Sequence, residues 1–392
     1  MFSAPRKKVV LVLGMHRSGT SAITRGLAAL GVDLGENLMQ PIKGNNDKGF
    51  FEDVAINSLN VEMLNSIGHE WHSLRPVSES DFKRLCDNES FVKKAKDTVI
   101  EKLSNKVFVG IKDPRLSKLA PFWLTVLNGL NLDVKILVAC RSPISVAESL
   151  QKRDRFPYLK SFYMWMDHNL NSLHFTKDIS RLVVDYDRLI DSPRAQLIRI
   201  ADYLALDLAL NEASLSEYIS TFLDDSLRHT KHSTQESETI HSVPVEVREL
   251  HLLMSKMAAA PATFAENDTE NGELEALSAK HLANKHLLTL YDYSEDTQRV
   301  ENAAIAEQIQ AFEHKLSVLT VERDTLCSQL EEANASLSRA QTEFEKTIHA
   351  STHTQAYLVD QLQQASQKWE LAAADLAKIQ NSRIYKYLAR FI

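Results

Sequence analysis

Glycine and proline are missing from the last 120 of the chain's 392 residues: of 11 glycines only Gly272, and of 10 prolines only Pro261, lie beyond residue 255. A stretch free of both breakers suits uninterrupted helix, so two different kinds of chain are joined here. Cysteine is scarce as well. Cys86, Cys140 and Cys327 are odd in number and scattered, which excludes a disulfide framework, offers no metal-type pairing and fits a reducing compartment. Long apolar runs are also lacking: Val9 to Leu13 is far too short for a bilayer span or a signal-peptide core. A cytoplasmic protein is expected. No basic block or arginine-rich stripe interrupts the chain, which argues against a dedicated nucleic-acid binder. What is present, 44% hydrophobic and 25% charged side chains, supports a large core and more than one domain at the usual 100–200 residues each.

Residues 7–13, KKVVLVL, read as a buried strand ended by Gly14, and 21–32, SAITRGLAALGV, as an amphipathic helix stopped at Gly31. Further strands are expected at Val107 to Ile111, Val134 to Ala139 and Leu182 to Val184, with helices after Pro143 and over 192–205. Strands alternating with helices predict an α/β fold, a doubly wound parallel sheet with helices on both faces and its chemistry at the strands' carboxyl ends. The loops at 14–20, 112–115, 141–145 and 185–188 then share one edge.

The mixed segment 258–273 reads as a linker, dividing a 1–257 α/β domain from a 274–392 helical extension. Within the extension Ile309, Phe312, Leu316, Leu319, Leu326, Leu330, Ala333, Leu337, Ala340 and Phe344 alternate at spacings of three and four, with Arg323 the one polar intruder. That seam predicts a coiled coil, hence self-association or docking to a partner. Past Phe344 the pattern fades through Thr347, Ser351 and Thr354, leaving Leu358, Ala365, Ala372 and Ile379 at one position of the repeat. The end of the chain gathers Arg383, Lys386 and Arg390 with Tyr385, Tyr387, Phe391 and Ile392, a composition suited to an anionic membrane surface or to packing on a partner.

Gly14-Met15-His16-Arg17-Ser18-Gly19-Thr20-Ser21 follows the first strand and opens a helix. Successive backbone N–H groups there, added to a helix N-terminus, form a concave anion site. Its glycine spacing matches the nucleoside-triphosphate P-loop, yet Thr20 stands at the lysine position. That speaks against a P-loop kinase or nucleotide switch, as does the lack of a convincing strand-end aspartate for Mg²⁺. Arg17 is the loop's cation.

HRSGTS, residues 16–21, resembles the 5′-phosphosulfate loop of the sulfotransferase superfamily, with His16 in place of its usual proline. The strand ILVAC leading into Arg141-Ser142-Pro143, followed by Ser149, is similar to the segment that holds the 3′-phosphate in that superfamily. KGFFED (48–53), KDPR (112–115) and VVDYDRLIDSPRAQLIRIADYLAL (183–206) resemble its bacterial, carbohydrate-type branch, so the likeness spans about residues 8–235. The last stretch departs from the pattern at Arg188 and Ala205 and by one extra residue before Pro193.

The resemblance implies a P-loop-type fold and transfer of a sulfuryl group from 3′-phosphoadenosine 5′-phosphosulfate to a carbohydrate or polysaccharide hydroxyl, with no metal required. The donor would be held by Gly14, His16, Arg17, Ser18, Gly19, Thr20 and Ser21 at one end and by Arg141 and Ser149 at the other. Arg17 and Lys112 would face the charge growing on the bridging oxygen, and Glu52 would take the acceptor's proton, with Asp53 and His16 in reserve.

Each role has a structural competitor. Glu52 and Asp53 open an apparent helix, so either also serves as its N-cap. Lys112 can instead pair with Asp113, and Tyr186 suits a core position as well as an adenine pocket. His69 and His72, three residues apart, miss the zinc-protease spacing and suit an acceptor cleft or a surface. Arg228, His229, Lys231 and His232 form a basic cluster, either a closing loop over the donor or a solvated one. A coiled-coil scaffold with an inactive domain is the remaining functional class, opposed by the joint presence of Arg17, Lys112, Arg141 and Ser149.

Overall fold

The computed structural model describes residues 6–42, 48–223, 243–261, 268–346 and 352–381. The basic cluster at 228–232 and the basic, aromatic end at 383–392 lie outside the described residues. Four strands, β1 (Lys8–Leu13), β2 (Phe108–Lys112), β3 (Asp133–Cys140) and β4 (Arg181–Asp185), form one parallel sheet in the order β2-β1-β3-β4. Val12 of β1 sits level with Lys112 of β2 and with Leu137 of β3. All four expected strands are there, within a residue or two of their anticipated ends.

β1 is apolar throughout because both its faces are covered. Val9, Leu11 and Leu13 enter one core with Ile56, Phe91, Trp123 and Trp165, while Val10 and Val12 enter another with Ile23, Leu27, Leu197 and Tyr218. Period-two alternation places successive side chains on opposite faces, so a strand with two cores reads as a continuous hydrophobic run. The second core is built by α1 (Thr20–Ala29), α8 (Tyr186–Asp191), α9 (Pro193–Leu204) and α10 (Glu212–Glu217). The first is built mainly by α2 (Val54–Ser66), α4 (Glu89–Lys102), α5 (Leu116–Gly129), α6 (Pro143–Asp154) and α7 (Tyr158–His174), with α3 (Glu79–Asp87) contributing Leu85.

α11 (Val245–Ala259) and α12 (Asp268–Ala283) also belong to the first core, through Leu250, Leu253, Met254, Leu274 and Leu277. The compact unit therefore runs to Asp292, past the boundary that composition suggests at 258–273. A polar, breaker-containing stretch separates two helices here without separating two cores.

The second unit begins at Tyr293, within α13 (Lys285–Lys346), and includes α14 (Thr352–Asn381). The expected seam of α13 is its less exposed face: Ile309, Phe312, Leu316, Leu319, Leu326, Leu330, Ala333, Leu337 and Ala340 are half-buried, as is Arg323. Trp369 Nε1 of α14 lies 2.8 Å from Cys327 Sγ of α13. Cys327 precedes the end of α13 by about as many residues as Trp369 follows the start of α14, so α14 folds back antiparallel on α13. Its own register is fuller than one repeat position. Leu362, Ala365, Ala372, Leu376 and Ile379 are half-buried, and Trp369 completes their spacing of three and four. The side chains of Phe344 and Leu358 lie outside the described ones. Among the described residues no helix is long and apolar enough to cross a membrane.

Candidate active site

Because the sheet is parallel, the carboxyl ends of β1, β2, β3 and β4 deliver Gly14, Lys112, Arg141 and Tyr186 to one edge. The central crevice lies between β1 and β3, where the direction of chain winding reverses and ligands of such sheets bind. The loop between β1 and α1 arches over it. Gly14 has φ 133°, and an added Cβ would lie 2.8 Å from the Ala139 carbonyl of β3; its N–H donates to Ser117 Oγ at 2.9 Å. Gly19, the N-cap of α1, has φ 83°, and an added Cβ would meet the Tyr186 ring at 2.1 Å. Both positions need glycine for conformation and for space. Arg17, also left-handed at φ 68°, turns its side chain toward α6, where Nε donates to Ser149 Oγ at 2.8 Å.

Arg141 closes the other side. One guanidinium nitrogen donates to the Arg17 carbonyl at 3.2 Å, and the group lies 4.6 Å over the Tyr186 ring. Tyr186 is thus a core residue that also supports the arginine. Arg17, Arg141 and Ser149 lie together, with Ser149 directly on Arg17. Burial lowers the pKa of Arg17, helped by Arg153 and Arg141, which places several cations in one small region.

Two helix N-termini open onto this region, α1 at Gly19 and α6 at Ser142, and neither has a side-chain cap. His16 Nε2, Ser18 Oγ, Arg141 Nε, Ser142 Oγ and Ser145 Oγ are buried there with no hydrogen-bond partner. A buried polar atom left unpaired costs about 1–3 kcal/mol, so five around one loop make it the candidate ligand position. The Arg141 nitrogen can only donate and the three serine hydroxyls are able to, a set compatible with an anion at two helix N-termini. Ser142 lies inside the Arg141-Ser142-Pro143 motif but is given no role by it, and Ser145 carries no motif signal; the signal for both is their place at and just inside the start of a helix that leaves a central strand.

The Lys112 ammonium is buried and lies 2.6 Å from Glu52 Oε1, 2.9 Å from the Phe50 carbonyl and 3.3 Å from Ser21 Oγ. Its partner is therefore Glu52, and Asp113 turns instead to Arg115 at 3.1 Å. Asn57 of α2 donates to both carboxylates, at 3.0 Å to Glu52 and 3.1 Å to Asp113. Burial raises the pKa of Glu52, with Asp113 adding to the rise and Lys112 and Arg115 opposing it. The carboxylate expected to cap α2 resolves to Asp53, which accepts from the Ala55 and Ile56 amides and pairs with Lys102 at 3.1 Å. Asp53 is committed to structure. Glu52 is left to face Lys112.

The 69–75 segment flanks the loop. Trp71 packs on His16 with ring centroids 4.3 Å apart. Burial holds the His16 imidazole well below its ordinary pKa, and Arg115 and Arg153 add to that. His69 is buried, whereas His72 lies 2.6 Å from Glu70. Among the described residues no group of His, Cys, Asp and Glu has the arrangement of a metal site.

No family model and no curated protein matches this chain. Among solved structures, the sulfotransferase domain from the Synechococcus PCC 7002 olefin synthase is similar, at 18% identity over 71% of this chain and 97% of that one, with a TM-score of 0.37. Likeness at that level decides nothing about chemistry, which has to be read from the residues.

Proposed function

We propose that the chain is a sulfotransferase, moving a sulfuryl group from 3′-phosphoadenosine 5′-phosphosulfate to a carbohydrate hydroxyl. The observation that carries this reading is the cluster of unpaired donors between two uncapped helix N-termini, one step from the buried Lys112–Glu52 pair. Such a site suits a donor with anionic groups at both ends. The loop amides, Ser18 and Thr20 would hold the phosphosulfate, and Arg141 with Ser142, Ser145 and Ser149 the 3′-phosphate. Thr20 at the usual lysine position disfavours phosphoryl transfer from a nucleoside triphosphate.

In the transfer the acceptor oxygen bonds to sulfur, the bond from sulfur to the bridging oxygen breaks, and the acceptor's proton passes to a Glu52 oxygen. Negative charge grows on the bridging oxygen, where Lys112 and Arg17 stabilise it from fixed positions. Lys112 also ties Glu52 to Ser21 and the Phe50 carbonyl, so base and loop share one framework.

The test is transfer of labelled sulfate from the donor to a glycan panel, with calorimetry of 3′,5′-adenosine bisphosphate. Saturable transfer and bisphosphate binding support the reading; binding of ATP–Mg²⁺ without bisphosphate binding overturns it.

A further inference from the structure

Resting on that reading, we infer that the 69–75 segment and Phe156 form the acceptor subsite, a wall built for a saccharide unit. Trp71 and Phe156 are half-buried at the edge of the loop, 5.7 Å apart, with His72 5.3 Å from Phe156. Polar groups interleave with the rings: Arg153, paired with Asp154 at 2.7 Å, lies 5.3 Å over Trp71, Lys160 lies 4.3 Å over Phe156 and 3.3 Å from His72 Nδ1, and Glu70 holds His72 Nε2. Trp71 packs on His16 of the loop, so whatever lies against this wall is beside the proposed donor site.

The mixture selects the ligand class. A sterol or alkyl acceptor would bury the charges of Arg153 and Glu70 without hydrogen-bonding them, and a simple phenol would engage few of them. A pyranose offers both apolar C–H faces for the aromatic side chains and a dense set of hydroxyls for charged groups such as Arg153 and Glu70.

The wall is also held rigid. The two carboxylate oxygens of Asp292 accept from the Leu74 and Arg75 amides, each at 2.8 Å. Lys118 donates to the Ser73 carbonyl at 2.8 Å and pairs with the buried Asp167, which His281 of α12 approaches at 3.3 Å. Asp292 is a positioning residue: it touches no substrate, and it fixes the segment that does. Preorganised loops bind with less ordering cost.

The experiment uses the full chain with Trp71→Ala, Phe156→Ala, Trp71→Phe and Asp292→Ala. Transfer kinetics are read on soluble hexose, uronic-acid and amino-sugar oligosaccharides and on a simple phenol, with bisphosphate calorimetry on every variant. Trp71→Ala and Phe156→Ala are expected to raise the saccharide KM by about 10-fold. Trp71→Phe should recover most of that, and bisphosphate affinity should hold within about 2-fold, which also reports that the variants are folded. Asp292→Ala should speed hydrogen exchange at Leu74 and Arg75 and raise the same KM. Unchanged saccharide KM in both alanine variants overturns the wall, as does wild-type preference for the phenol or transfer to no saccharide despite bisphosphate binding. Absence of bisphosphate binding by the wild type is a different failure, that of the donor reading itself.

Discussion

At the scale of single residues, Glu52 is set apart by its surroundings. Burial pushes its pKa up against the pull of Lys112, so its loss of charge should lie above the ordinary carboxylate value of about 4.3. In the proposed role of base Glu52 must be deprotonated to act, so kcat/KM is expected to fall as pH drops through that raised value. Glu52→Gln should cut turnover about 10²–10⁴-fold while the donor product still binds, measured by the transfer assay and calorimetry. Asn57→Leu removes a donor shared by Glu52 and Asp113, and should move the acidic limb of the pH profile upward. A limb that stays put would remove Asn57 from any role in holding the base. Glu52 was legible in the sequence as one of two adjacent carboxylates. Which of the two caps α2 was decided only by the backbone, which gives Asp53 the amides of Ala55 and Ile56. Asn57 carried no signal, because one asparagine in a helix looks like any other until a strand end from residue 112 is laid beside it.

At the scale of elements, the loop joining β1 to α1 depends on two tight approaches. Gly19→Ala places a Cβ into the Tyr186 ring at a positive φ, and Tyr186 supports Arg141. Backbone strain alone costs about 1–3 kcal/mol, and displacement of the ring disturbs the arginine. Weaker bisphosphate binding by about 10-fold or more is expected in calorimetry, together with a lower melting temperature. In the helical arm, Trp369→Ala should destabilise the α13–α14 pair by about 1–2 kcal/mol, as expected for a partly buried ring. Helical melting followed by circular dichroism would register it, and an unchanged profile would mean the ring contributes nothing to the pairing. The seam of α13 was readable because its spacing is regular. The seam of α14 was not, since Trp369 and the alanines fill positions that a search for leucine passes over. That α14 of the same chain lies on this seam also decides what a second copy would meet there, a helix pair in place of a bare apolar stripe.

At the scale of the molecule, the first unit stores histidines that are neutral because they are buried. Burial lowers the pKa of His69 and His168 to about 3 and that of His251 to about 4. A folded value depressed below the unfolded 6.5 or so means that the unfolded chain binds the proton first. The stability these groups provide is therefore complete above about pH 6.5 and is lost as pH falls toward their folded values. By linkage each withdraws up to about 2 kcal/mol between pH 7 and pH 5. Urea midpoints across that range should drop, and His168→Gln should flatten the drop; a pH-independent midpoint would contradict it. The same unit has 35 basic and 38 acidic side chains, against 10 and 14 for residues 293–392. The excess acid is shared between the units, so charge alone does not separate the compact unit from the helical arm.

The sequence by itself determined the strands, the glycine-bearing loop after the first of them and the breaker-free helical arm, because those depend on period, glycine conformation and helix propensity over neighbouring residues. It also put Arg17, Lys112 and Arg141 at strand ends or in the loop that follows one, which in a parallel sheet is one edge. Only the tertiary structure decided that Lys112 meets Glu52, that Ser142 and Ser145 lie unpaired beside the loop, and that α11 and α12 belong to the first compact unit. It alone brings Asp292 to the Leu74 and Arg75 amides. Those are pairings across tens to hundreds of residues, and no local pattern encodes them; they exist only once packing has brought distant groups within hydrogen-bond reach.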